Sequence, residues 1–441
     1  MTISANTVWE VRTTGNDTQC GGGFDATIAG AGTDYSQQNS AQATGTVTSS
    51  TTTVTATAGI FTAAMVGNII TDGTTYKQIT GYTSATVVTV ESAPAWTSAT
   101  VFVGGALASP GKAGGVKVAG NHIWIKAGTY TISVSTANVS GGIINDTTGG
   151  ASTSNASWWA GYGTVRGDLA ARPLLQVAAT GVITITLFAL SSSSCYVENI
   201  SVDGQSKSNI RGFNAIGPNL AFIRCRAINC TNNAFNLPTG YALLCEASAC
   251  SATFAYFSAG NTGRFLYCSA DNCTSGGFLN TGITIGCIAS NNTGPGITST
   301  GNPTAIIGCT AYNNTQDGIS VSGQSFIINC LSCNNGGYGF SNVGPDADAA
   351  LILNCAGYNN TSGNNQFLRT EGFVTLTVDP FVGKSVGNYA LNNTANGGAL
   401  CRAAGLSGAF PGLSSTTGYQ DIGAVQHRDP LKIRGRLGDG R

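Results

Sequence analysis

The chain has 441 residues, 61 of them glycine, and only 9% are charged, with 20 basic side chains against 20 acidic ones. Zero net charge gives no electrostatic footprint for a nucleic-acid partner and little field to steer ionic ligands. No apolar run reaches the ~18 residues of a membrane span, and the start MTISANTVWEVRTTGND lacks the basic and apolar regions of a secretory signal.

Residues 1–41 read as an N-terminal strand and capping segment, carrying VWEVRTTGND. A Thr/Ser/Ala tract follows at 41–59, and then FTAAMVGNIITDGTTYKQITGYTSATVVTVESAPAW. Alternation and Gly turns there predict about three short strands, so residues 42–104 read as a small β-rich domain. HIWIKAGTYTI, with Ile123 and Ile125 alternating against Trp124, opens a different pattern.

From Cys225 a frame repeats at Cys245, Cys268, Cys287, Cys309, Cys330 and Cys355, with gaps of 20, 23, 19, 22, 21 and 25 residues. Repeats of this length predict a solenoid. An aliphatic residue stands two before each cysteine (Ile223, Leu243, Ile285) and a small one two after it (Ala227, Ala247, Ala289). This period-two pattern reads as one strand running through the cysteine. Asparagine follows four and five later, as in Asn291-Asn292 and Asn313-Asn314, where a turn is expected because Asn tolerates left-handed backbone. A large apolar residue ten after the cysteine marks a second strand: Phe235, Phe278, Ile297, Ile319, Phe340. No crossover helix fits between repeats, so successive coils pair strand on strand as a parallel β-helix. The expected span is 105–380, with the helix end and cap at 381–426.

The first cysteines then form an inward ladder of thiols, small and apolar enough for a core. Cys230, Cys250 and Cys273 share their place with Asn292, Asn314, Asn335 and Asn360, one turn position filled by two residue types. Disulfides suit the parallel Cβ vectors of stacked cysteines poorly. Cys330-x-x-Cys333 occurs once, without the partner pair of a zinc site. No metal and no cofactor is expected. Fourteen cysteines, mostly thiols, suit assembly in a reducing cytoplasm.

VWEVRTTGND, GNHIWIKAGTY, the Asn-rich coils, VDPFVGKSVGNYAL at 378–391 and DIGAVQ at 421–426 resemble right-handed parallel β-helix proteins of the pectate-lyase-like superfamily. The small β-domain ahead of the coils is most similar to phage virion spike, fibre or head-decoration proteins. The resemblance implies an all-β, right-handed, single-stranded parallel β-helix. It also implies a virion structural protein, homotrimeric, held by other virion proteins and able to contact host-surface polysaccharide.

The chemistry of the family's enzymes is not evident. Family hydrolases need paired carboxylates, yet the acids here are scattered: Glu198, Asp203, Glu246, Asp271, Asp317, Asp346, Asp348. His122 and His427 are the only histidines. Arg226 and Glu246 fall in register as a surface ion pair, and Asp346 with Asp348 could meet a cation. A polysaccharide-cleaving tailspike is the first alternative. A bacterial surface adhesin is the second, and would need a sorting segment. Trp158, Trp159 and Tyr162 are candidates to stack on sugars, beside VRGD at 165–168, which reads as a turn with structural charges. The tail 427–441 is basic, and QHRDPLKIRGRLGDGR holds five of the twenty Lys/Arg. Arg434 and Arg436 are its candidate contacts to an acidic partner, against a plainly solvated tail.

Overall fold

The computed structural model describes residues 3–132, 142–150, 152–153, 155–178, 185–251, 253–258, 263–344, 350–406 and 420–426. The chain is an all-β protein: a parallel β-helix with a small antiparallel β-domain. It falls into two units, residues 1–264 with 268–276, and residues 265–267 with 277–441.

In the first unit each coil contributes strands to three parallel walls. Val8–Val11, His122–Lys126, Ser157–Tyr162, Cys195–Glu198, Leu220–Ile223 and Tyr241–Leu243 pair in that order as the first wall. Thr129–Ile132, Leu174–Val177, Ser201–Asp203, Arg226–Ile228 and Glu246–Ser248 form the second. Gly142–Asp146, Ile185–Leu190, Ile210–Ala215, Phe235–Asn236 and Phe254–Phe257 form the third. The inward row of the first wall is Trp9, Ile123, Trp159, Val197 and Phe222, all fully buried. Opposite, Phe188, Phe213, Phe235 and Tyr256 stack coil upon coil with centroids 4.8–6.1 Å apart.

The N-terminal segment starts the stack. Val8–Val11 is its first strand, and Gly23–Phe24 pairs antiparallel with it. The short helix Pro110–Val116, capped by Ser109, packs against Val8–Val11 and Gly142–Asp146. These elements cover strand edges that would otherwise invite uncontrolled pairing. Between them, Ala43–Ser50, Thr53–Ala56, Ile69–Thr71, Tyr76–Ser84, Val87–Val90 and Ala99–Val103 close a six-stranded barrel. Its core holds Val47, Val54, Ile79, Val88, Val101 and Trp96. The sequence pattern predicts about three strands in FTAAMVGNIITDGTTYKQITGYTSATVVTVESAPAW, and three lie there, Ile69–Thr71, Tyr76–Ser84 and Val87–Val90. The other three fall outside it, two in the Thr/Ser/Ala tract, which carries little apolar alternation, and one at Ala99–Val103.

One feature of the coils departs from the sequence reading. No strand passes through the cysteine. The preceding residue is left-handed in every coil, with φ of 52° at Arg224, 56° at Leu244, 54° at Tyr267, 63° at Gly286, 56° at Gly308, 55° at Asn329 and 47° at Asn354. Each cysteine therefore sits at a corner between two strands. The inward residue of the strand before it stands three back (Phe222, Ala242, Phe265, Ile306, Ile327), all essentially unexposed, while Ile223, Leu243, Leu266, Ile285 and Ile328 two back are half-buried. A second left-handed corner follows at Asn229, Ala249, Asn272, Asn291, Asn313, Asn334 and Asn359. A coil thus has three strands, not two. All fourteen cysteines are buried free thiols.

In the second unit, Ile288–Ser290, Thr310–Tyr312, Leu331–Cys333, Ala356–Tyr358 and Val374–Thr375 form one wall. The chain returns across its outside. Leu376, Phe381, Tyr389, Leu391, Cys401 and Ile422 pack on Tyr312, Leu331, Cys333 and Ala356. The hairpin Phe381–Gly383/Asn388–Leu391 carries part of this layer. Asn329 ties it down through Gln420 Oε1 at 3.0 Å and the Leu406 amide at 2.6 Å. Within the DIGAVQ segment, the Ala424 amide donates to Thr310 Oγ1 at 2.9 Å.

Candidate functional site

Parallel register places outward side chains of the first wall directly above one another, about 4.8 Å per coil. His122, Trp158, Tyr196, Ala221 and Tyr241 occupy one such row. Trp158 meets His122 edge-on at 6.3 Å and Tyr196 at a tilt at 5.5 Å. A groove of about 200 Å³ runs beside them, lined by His122, Trp124, Trp158, Ala160 and Glu198. Burial lowers the His122 pKa from its ordinary value, which favours a neutral imidazole. Further along the same wall, Thr153, Tyr196, Asn219, Thr239, Tyr241 and Arg264 line a larger pocket of about 460 Å³. In the row itself the coil between Tyr196 and Tyr241 carries the fully buried Ala221.

The structure separates the sequence candidates. Trp158 is half-buried, with part of its ring on the outer wall. Trp159 and Tyr162 are fully buried and offer no face to a ligand, which corrects the expectation for both. Alternation sends Trp159 inward, where its Nε1 donates to Asp146 Oδ2 at 2.7 Å. Tyr162 is held under Trp124 and donates its hydroxyl to the buried Glu10 carboxylate. Arg434, Arg436, His427, Asp346 and Asp348 lie outside the described residues.

The VRGD segment is occupied with structure. Asp168 accepts from the amides of Gly163, Thr164, Val165 and Ala170, and these bonds hold its carboxyl well below the usual range. Arg166 pairs with Glu10 at 2.7 Å and Asp34 at 3.0 Å.

Asp317 and Glu246, two of the scattered coil acids, are each engaged separately. Asp317 is engaged by the Tyr338 amide and the Ser341 hydroxyl, both at 2.7 Å. Glu246 faces Arg172 at 2.9 Å and Arg226 at 3.8 Å on a half-exposed surface. Among the described residues, no group of three or more His, Cys, Asp or Glu side chains could hold a metal ion. Nor is any helix there long and apolar enough to cross a membrane.

A buried ion pair sits at the start of the coils. Lys117 Nζ lies 2.9 Å from Asp146 Oδ1, and both side chains are fully buried. Trp159, Cys195 and the Gly149 amide also donate to this carboxylate. Thr148 and Ser157 receive the remaining ammonium protons. Burial alone would raise the Asp146 pKa, but Lys117 and these donors bring it below the ordinary value. With every donor and acceptor matched, the cluster is a locking element of the first coil.

Sequence reasoning missed Tyr196, Tyr241 and Arg264. A signal was present: counting back four from the corner residues Ile200, Cys225, Cys245 and Cys268 gives Tyr196, Ala221, Tyr241 and Arg264.

This architecture defines a parallel β-helix protein. No family model and no curated protein matches the chain. Solved structures to which it is similar include a rhamnogalacturonan lyase, at 15% identity and a TM-score of 0.49, covering 60% of this chain and 81% of that one. The pectate lyase Pel9A is similar at 14% identity and a TM-score of 0.48, over 74% of this chain and 92% of that one. ORF18 of Geobacillus virus E2 is similar at 16% identity and a TM-score of 0.42, over 58% and 53%. These neighbours share the coil, and their low identity extends the likeness no further than fold.

Proposed function

We propose that this chain is a non-enzymatic structural component of a phage virion, a β-helical spike, fibre or head-decoration protein acting as a homotrimer, whose first wall contacts host-surface glycans. The observation that carries the reading is the partly exposed row of His122, Trp158, Tyr196 and Tyr241 along one wall. Aromatic rings presented along one wall suit the apolar faces of sugars. The barrel ahead of the coils fits an attachment role, because it has its own core.

A polysaccharide-cleaving reading is favoured by one observation, the Glu198 carboxylate beside His122 in the groove. Glycoside hydrolysis uses two carboxylates, and among the described residues Glu198 is the only one lining that groove.

The test has two arms. Labelled antibody against this chain, applied to purified phage particles, is expected to decorate them. Retention on immobilised host polysaccharide is expected without new reducing ends or unsaturated uronates. Turnover abolished by Glu198→Gln would replace this reading with the enzymatic one.

A further inference from the structure

Arg264, like the exposed Arg224, stands apart from the carboxylate-paired arginines on the outside of the first unit, and unlike Arg224 it lines the 460 Å³ pocket. Arg166, Arg172 and Arg226 each face a carboxylate. Arg264 is exposed and has no carboxylate within ion-pair distance among the described residues. Its backbone amide is anchored to the Gly240 carbonyl at 3.1 Å, which fixes the root of the side chain at the rim of the 460 Å³ pocket. The opposite wall is Tyr196, and Tyr241 stands between. Both tyrosines are half-buried, and burial raises the Tyr241 pKa, so its phenol stays protonated as a donor.

The pocket floor is shaped by backbone constraint. Gly240 has φ of 87°, and a Cβ there would lie 2.3 Å from the Leu220 carbonyl oxygen. Neither the left-handed conformation nor the space admits a side chain. Tyr196 and Tyr241 are two coils apart, about 10 Å at the spacing of paired strands, with the fully buried Ala221 in the coil between. The volume lies within the range of small-molecule sites. One aromatic wall, hydroxyl and amide groups from Thr239, Asn219 and Thr153, and a single unpaired guanidinium together describe a ligand. It has a flat, partly apolar ring, hydroxyls, and one negative charge at its edge.

We propose that the Tyr196–Tyr241–Arg264 pocket is a subsite for a pyranose bearing one anionic substituent, with the ring against the tyrosines and the anion on the Arg264 guanidinium. A planar fork binds a carboxylate or a sulfate through two parallel hydrogen bonds. The subsite rests on the glycan-contact reading of this wall and adds charge selectivity to it. The groove at Trp158 has no cation in its lining, so neutral sugars fall there and the charged one falls at Arg264.

The test is isothermal titration of the full-length protein with three probes. They are an oligosaccharide alternating glucuronate and N-acetylglucosamine, the same oligosaccharide with its carboxylates reduced to alcohols, and a sulfated form of the reduced one. The carboxylate or the sulfated probe is expected to bind at least about tenfold tighter than the reduced one, consistent with a charge-assisted contact. Whichever of the two binds tighter identifies the anion. Arg264→Gln is expected to erase the difference by weakening binding of the charged probes, and Arg264→Lys to restore part of it. Thermal melts of both variants, expected to match the parent, guard against misfolding. Equal affinity for all three probes would overturn the subsite and leave the glycan-contact wall standing. So would charge preference that survives Arg264→Gln. No binding of any probe, with Trp158→Ala likewise silent on host polysaccharide, would overturn both.

Discussion

The side-chain amide of Asn314 donates to the carbonyl of Ala289, one coil earlier, at 3.1 Å. Cys250 makes the same connection from the same corner position, its thiol reaching the Ala227 carbonyl at 3.8 Å. Asn335 repeats it to Ala311, and Asn360 to Ser332. The corner interrupts regular pairing, and a side chain supplies the donor that the backbone cannot. Asparagine adds a lateral bond: Asn292 donates to Asn314, Asn314 to Asn335 and Asn335 to Asn360, each at 2.9 Å. This explains why two chemically different residues share one place.

Asn314→Leu should therefore destabilise the protein more than Asn314→Cys. Leucine leaves the Ala289 carbonyl and the Asn292 amide without their partners, at a cost of about 2–4 kcal/mol for two buried groups. Cysteine keeps the first contact. Urea unfolding of the two variants compares them, and equal midpoints would refute the donor role.

The other corner works alike. Cys245 donates to Phe222, Cys268 to Ala242, Cys330 to Ile306 and Cys355 to Ile327, each from 3.2 to 3.5 Å and across one coil. Cys287→Asp is expected to abolish folding at 37 °C, because it buries an unpaired charge, and Cys287→Ser to be tolerated far better. A thiol-reactive dye should find almost no sulfhydryl in the native protein and all fourteen after denaturation. Rapid native labelling at Cys287 or Cys330 would contradict their burial.

Much of this was legible in the sequence, and the omissions have physical causes. The repeat length, the inward cysteines and the Asn turn follow from residue type and spacing alone. Gly286, Gly308, Asn329 and Asn354 signal the first corner, since these residues accept left-handed backbone readily. Arg224, Leu244 and Tyr267 hide it in the other coils: the stacked neighbours impose a conformation their side chains disfavour. The half-buried aliphatics two before each cysteine completed a false alternation across that corner. Trp159 and Tyr162 are candidates by residue type alone; inward register buries Trp159, and Tyr162 is held under Trp124. Tyr196, Tyr241 and Arg264 required coil register rather than local motif.

The Lys117–Asp146 pair gives a pH prediction. The Asp146 pKa is lowered in the folded protein, so its stabilisation is complete above the unfolded value near 4 and is lost as pH falls through the lower folded value. Lys117→Met removes the main opposing charge and leaves burial to raise that pKa. The variant should lose about 3–5 kcal/mol at pH 7. The deficit should shrink toward pH 4, where a protonated Asp146 no longer carries a buried charge. Urea titrations at both pH values measure it, and a deficit independent of pH would show that the pair is not the source.

The returning C-terminal layer is encoded by a change of character in one row of side chains. The residue after the corner cysteine is Arg226, Glu246 and Ser269 in the earlier coils, and Ile288, Thr310, Leu331 and Ala356 in the later ones. An outward wall position turns apolar only where something covers it, and residues 376–391, 398–406 and 420–426 supply the cover. Phe381 and Tyr389 make edge-on contacts with each other and pack against Tyr312, with centroids 5.4–5.6 Å apart. Such a pair contributes beyond its buried area. Phe381→Ala should weaken the layer by about 3–5 kcal/mol, the usual cost of truncating a buried aromatic. Its interior coil strands are held by their own backbone pairing, so they should persist. Hydrogen exchange followed by peptide mapping separates the two. Faster exchange is expected in 376–391 and 398–406, with 304–333 changing little. Uniform acceleration across both regions would mean that the layer and the coils unfold as one unit, and the outer cover would then be part of the core it covers.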